Sequence, residues 1–115
     1  WQPDPLISDD RAIVININNK GLVVLSGCAH AGIINTLNYA KEITGINKVY
    51  AVLGGFHLAG KGFEEKTAFT LVELAKINPS FVVPFHCTGW RAILALSQTF
   101  PEAFVWNSVG NRYQL

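Results

Sequence analysis

The sequence predicts an α/β layer, with helices packed on a mixed sheet in the order β-β-α-β-α-β-α-β-β. Three observations predict it. Short β-branched runs such as AIVINI (12–17) and FVVPF (81–85) recur along the chain, and the stretches between them carry apolar residues at helical spacing. Glycine, asparagine or proline marks the junctions. Strands that alternate with helices bury their apolar sides by stacking as layers.

Residues 1–10, WQPDPLISDD, hold two prolines and three aspartates and read as an entry loop. The runs 12–17 and 21–26 (GLVVLS) are separated by NNK and a glycine, the chemistry of a tight hairpin. From Gly32 to about Ile43 the residues Ile33, Ile34, Leu37, Ala40 and Ile43 fall on one helical face, and Gly45 is positioned as the C′ residue. Residues 48–53 (KVYAVL) predict a third strand, followed by a loop rich in glycine at 54, 55, 60 and 62. A second amphipathic helix is expected over 64–77, with Glu64 and Glu65 in its first turn, where carboxylates suit the helix dipole, and with Pro79 stopping it. A fourth strand (81–85), a third helix (89–99) and two short strands (103–106 and 111–114) complete the order.

A chain of 115 residues is one domain or part of one. Half of its residues are apolar, only 15% are charged and the mean hydropathy is +0.26, so some apolar surface is expected to face something other than water. The absence of methionine and the opening WQPDPLISDD predict a fragment, the whole of 1–115 being a single unit of a larger domain. No apolar stretch approaches the roughly 20 residues that span a bilayer. A net charge of +1 without a Lys/Arg cluster leaves no electrostatic footprint for nucleic acid or a membrane surface. Two cysteines are too few for a disulfide scaffold, which predicts a cytoplasmic protein.

The chain has three histidines, and each falls within a few residues of a predicted strand's C-terminal end: His30 after LVVLSG, His57 after VYAVLGG and His86 after FVVPF. Cys28 and Cys87 lie at two of the same places. In layered α/β sheets ligands gather at that edge. Taken singly, each histidine reads as a core or surface residue and each cysteine as a small buried hydrophobe. Taken together, they predict a shared site if the strands are neighbours. Imidazole and thiolate suit zinc or iron rather than magnesium or calcium. Their spread over about 60 residues fits an open catalytic site, where a metal lowers the pKa of bound water, better than a closed structural one. Gly27, Gly32, Gly54, Gly55 and Gly89 supply turns that aim side chains into a pocket. Thr88 and Gly89 precede the third helix, so HCTG is expected to offer backbone N–H groups to an anionic substrate.

The motifs VVLSGCAHAGIINTL, VYAVLGGFHL and VVPFHCTG, in that order, resemble the C-terminal half of the metallo-β-lactamase superfamily. The nearest branch is the one named for the dihydropterin and ribofuranosylaminobenzene-phosphate condensing enzyme. The resemblance covers essentially the whole chain and implies an αββα sandwich with one or two metals, zinc first and iron or manganese as alternatives. It implies that His86 is the late histidine ligand, and that Cys28 takes the position where most members place a bridging aspartate. His30 is then an alternative ligand or a neighbour, and His57 an acid/base or substrate-orienting group. The metal set is thus Cys28, His30 and His86, the catalytic residue His57 and the substrate-binding pair Thr88 and Gly89. The signature HxHxDH, and a histidine in the segment before Cys28, are absent from this sequence and are expected on a missing N-terminal half, the chain's first partner, without which it is inactive.

The function so implied is a metal-dependent hydrolase or related transferase acting on a small molecule, for instance one containing phosphate or a pterin. Two alternatives remain open at this point. Cys28 is a nucleophile in a metal-free hydrolase, activated by a helix N-terminus with His30 or His86 as base, or the chain is a non-catalytic, partner-binding half. Asn35, Lys61, Trp90 and Arg91 are further candidates for lining a pocket.

Overall fold

In the computed structural model, which describes residues 3, 7, 8, 10–60, 62 and 65–115, these residues form four strands, three α-helices and a 3-10 turn at His86–Thr88. The strands β1 (Ala12–Ile17), β2 (Gly21–Ser26), β3 (Val49–Gly55) and β4 (Phe81–Phe85) lie in that order in one sheet. β1 runs antiparallel to β2, whereas β2, β3 and β4 are parallel. The helices α1 (Ile33–Thr44), α2 (Lys66–Ile77) and α3 (Trp90–Thr99) supply the crossovers and the cover. The hairpin forms as the sequence predicts. Asn19 takes a left-handed φ of 64°, and the Lys20 N–H donates to the Ile17 carbonyl at 3.0 Å.

Alternation along the strands divides the sheet into two faces. Leu22, Val24, Val49, Val52 and Val82 point to one side and pack with Ile33, Leu37 and Ala40 of α1, Leu74 of α2 and Ala92 and Leu96 of α3. The other side carries Val23, Ala51, Leu53 and Val83, which pack with Phe85, Val105, Tyr113 and Leu115. Towards β1 that side is bare, with Ile13, Ile15 and Leu25 exposed. The apolar surplus of the composition therefore has an address.

Helix ends follow local chemistry. Gly45 and Asn78 both adopt the left-handed conformation, each donating its N–H four residues back, to Lys41 and Leu74. The second helix starts later than expected. It begins at Lys66, has Glu65 at its cap and no carboxylate in its first turn, and its first buried residue is Thr70; Glu64 and Lys61 lie outside the described residues. The two terminal strands are also corrected. Residues 103–105 meet β4 through two bonds only, Val82 N–H to the Ala103 carbonyl and Val105 N–H to the Val82 carbonyl, and 111–114 form no strand. Side-chain bonds among Asn107, Ser108, Asn111 and Tyr113 fold that tail on itself. Among the described residues no helix is long and apolar enough to cross a membrane.

Candidate metal and active site at the strand ends

Because β2, β3 and β4 are parallel and in register, Ser26 opposite Gly54 and Gly55 opposite Phe85, their C-terminal ends share one edge. The next residues of each strand reach the same spot. Each of the three loops contains one non-glycine residue in the left-handed region: Ala29 at φ 57°, His57 at 49° and His86 at 54°. Such conformations cost about 1–3 kcal/mol each and persist where surrounding structure holds them. One holder is Asp10, whose Oδ1 accepts the Cys28 N–H at 3.3 Å and whose Oδ2 accepts the His30 N–H at 2.8 Å. Gly55 is another requirement. A Cβ there would stand 2.8 Å from the Cys87 Sγ and 3.0 Å from the Cys28 Cα, so only glycine lets the two loops close.

Cys28 is the centre of the arrangement. Its sulfur lies 3.4 Å from His57 Nδ1 and 2.8 Å from the Cys87 sulfur, and both cysteines are free thiols. Two groups of metal-ligating atoms result, each with all members within 4.8 Å: Cys28 with His30 and His57, and Cys28 with His86 and Cys87. The His30 and His57 rings meet edge to face with centroids 4.6 Å apart. The expected set of Cys28, His30 and His86 is therefore brought together only through Cys28, with the two histidines in different groups among the described residues.

Burial, followed by the neighbouring Cys87 thiol and then Asp10, pushes the Cys28 thiol up to about 12. This is the opposite of the depression a nucleophilic cysteine needs. The Cys28 sulfur is turned towards Cys87, and α1 starts five residues further on. Burial also lowers His57, with His30 and Lys66 adding to the effect and Asp10 opposing it, so its imidazole is neutral at pH 7. Among the described residues, the buried His30 Nδ1 has no hydrogen-bond partner. An orphaned nitrogen beside a thiol and a neutral imidazole fits a borderline or soft metal ion.

The site opens on both faces. A cleft of about 520 Å³ on the helix side is lined by His30, Asn35, His57, Lys66 and Phe69. A shallower groove of about 710 Å³ on the other face is lined by Arg11, Ile13, Leu25, Phe85 and His86. Thr88 is not in either, contrary to its expected contact with substrate. It is fully buried, its hydroxyl donating to the Phe85 carbonyl at 2.8 Å and accepting the Phe56 N–H at 3.1 Å, which shapes the turn that presents His86 and Cys87. Gly89 opens α3 at φ 79°, and a Cβ there would stand 2.8 Å from that of Ala59. Trp90 and Arg91 sit apart from both clefts, stacked on one another in a small depression beside Gly60.

Sequence reasoning passed over Asp10, and it counted Cys87 among the residues gathered at the strand ends without assigning it a role. Asp10 had a usable signal, since a hairpin that pairs Ala12 with Ser26 carries the residue two before it alongside the residue two after. Cys87 had only its adjacency to His86.

The fold is matched by the crystal structure of Tm1679, described as a metal-dependent hydrolase of the beta-lactamase superfamily, with a TM-score of 0.80 and 30% identity over 90% of this chain and 40% of that one. This chain is thus built as one half of a metallo-β-lactamase superfamily fold, a mixed four-stranded sheet with three helices. In sequence it is 38% identical over 98 residues to the 7,8-dihydropterin-6-methyl-4-(β-D-ribofuranosyl)-aminobenzene-5'-phosphate synthase of Methanocaldococcus jannaschii, covering 85% of this chain and 33% of that protein. It is 36% identical over 104 residues to an uncharacterised protein of the same organism, covering 90% and 36%. The chain spans about a third of the length of these curated relatives. No family model matches it.

Proposed function

We propose that this chain forms part of the active site of a metal-dependent hydrolase, or of a related transferase, acting on a small molecule. The observation that carries the reading is the convergence of Cys28, His30, His57 and His86 from three parallel strand ends on one edge. The metal-dependent hydrolase with the matching fold supports it. Cys28, His30 and His86 hold the ion or ions, with Cys28 shared between the two sides of the rim. Zinc suits this mixture of sulfur and nitrogen donors best, ahead of iron and manganese. When bound, the ion supplies Lewis acidity and a lowered pKa of water. His57, neutral and beside Cys28, takes up or delivers a proton. The cleft on the helix side admits the substrate between Asn35, Lys66 and Phe69. Given the synthase relative, a phosphate- or pterin-containing compound is the first class to try. Further ligands, including HxHxDH, come from a complementary half whose sheet covers Ile13, Ile15 and Leu25.

Metal analysis of the intact protein, purified without chelator, tests the reading. At least one equivalent of a transition metal is expected, with hydrolysis of an activated phosphate ester lost on chelation and restored by zinc. A content under about 0.2 equivalents, with chelator-resistant activity, overturns it.

A further inference from the structure

We propose that Cys87 is itself a metal ligand, so that Cys28, Cys87 and His86 form a sulfur-rich donor set for a thiophilic ion, distinct from the imidazole side made by His30 and His57. The proposal deepens the metal-dependent reading and rests on it.

The two sulfurs come from positions 59 apart in the chain and stand 2.8 Å from one another. A thiol is a weak hydrogen-bond donor, and the bonds Cys28 to Cys87 sulfur and Cys87 to the Cys28 carbonyl return little for placing two polar groups in one half-buried pocket. Yet the loops are shaped for that placement. Gly55 removes the Cβ that would strike both cysteines, and Thr88 locks the turn that carries His86 and Cys87. His86 holds a left-handed backbone in the same turn. These features act on one point, and the donors they deliver all lie within 4.8 Å of each other. Two thiolates and one imidazole select soft and borderline ions over magnesium or calcium.

Binding forms two sulfur–metal bonds and one nitrogen–metal bond. Each thiol gives its proton to water, two per ion, and nothing is oxidised. The sulfurs part from 2.8 Å to the roughly 3.8 Å edge of a tetrahedral site, a side-chain adjustment of about 1 Å. His86 faces the groove on the sheet's open side, where a fourth ligand or a substrate atom can enter.

The test is a titration of the metal-free intact protein with Co²⁺ and Cd²⁺ under a phosphine reductant, following the sulfur-to-metal charge-transfer absorption. The wild type is expected to show a two-thiolate band. Cys87→Ser should lose about half of it and bind about tenfold or more weakly, since even outer-shell partners of a metal cost that much. His57→Ala should keep the band. Should Cys87→Ser fold poorly, X-ray absorption at the zinc edge of the wild type counts two sulfurs near 2.3 Å without any substitution. Ion binding with the same band and affinity in Cys87→Ser, or one sulfur or none at the zinc edge, overturns the role of Cys87 alone. Failure of every variant and the wild type to bind any ion overturns the metal reading beneath it.

Discussion

The two faces of the sheet are built from the same alternation of side chains and end differently. On the helix side Leu22, Val24, Val52 and Val82 meet three helices, and Leu37, Leu74 and Leu96 are 0% exposed. On the other side the C-terminal tail covers β3 and β4, while Ile13 remains 57% exposed beside Ile15 and Leu25. The site straddles this difference. His30 and His57 face the helix-side cleft and His86 the open groove, with Cys28 common to both groups. A closed face fixes the loops that carry chemistry. The open face leaves Ile13, Ile15 and Leu25 exposed beside the groove that His86 lines.

The largest test of this contrast is Leu74→Ala, expected to cost about 2–5 kcal/mol in urea unfolding because a fully buried side chain leaves a cavity. Between the faces lie the two polar clamps. Asp10→Ala frees two backbone N–H groups, and Thr88→Val leaves the buried Phe56 N–H unpaired, each at about 1–3 kcal/mol. Asp10→Ala should also weaken metal binding, with Asp10→Asn intermediate because an amide oxygen accepts but its nitrogen does not. Ile13→Ala should cost under about 0.5 kcal/mol if water covers it and about 1–3 kcal/mol if the complementary half does, so the intact protein's unfolding curve decides what lies on the open face.

A smaller effect separates the groups by pH. The folded pKa of His57 is lowered from its ordinary 6.5, so the unfolded state takes up the proton first as pH falls through that value. The metal-free protein is expected to lose stability from pH 7 to 5.5, and His57→Gln should lose less, as read from melting temperatures. Cys28 behaves oppositely. Held near 12, its thiol should react with iodoacetamide far more slowly at pH 8 than an ordinary cysteine in the metal-free protein.

Much of the scaffold was legible because it rests on local rules. β-branched runs, the Asn-Asn-Lys-Gly hairpin and the glycine after Thr44 each act over a few residues, and β1, β2, β4 and the end of α1 fall where those rules put them. The tail was misread because Phe104 and Val105 have strand character but only β4's last free edge to pair with, and Gly110 and Asn111 then turn the chain away. Within the site, three histidines after three strands could be counted in the sequence. The division of their partners between two groups could not, since Cys28, Asp10 and Cys87 meet only when β1 through β4 stand in register.

By itself the sequence determined the four sheet strands, the presence of three helices and which residue types stand at the strand ends, because hydrophobic period and turn chemistry are short-ranged. Tertiary structure decided that Asp10 grips the Cys28 loop, that Thr88 turns inward and that two sulfurs from distant positions touch. Those outcomes depend on which strand ends become neighbours and how closely Gly55 lets their loops approach, and that information exists only once the sheet has formed.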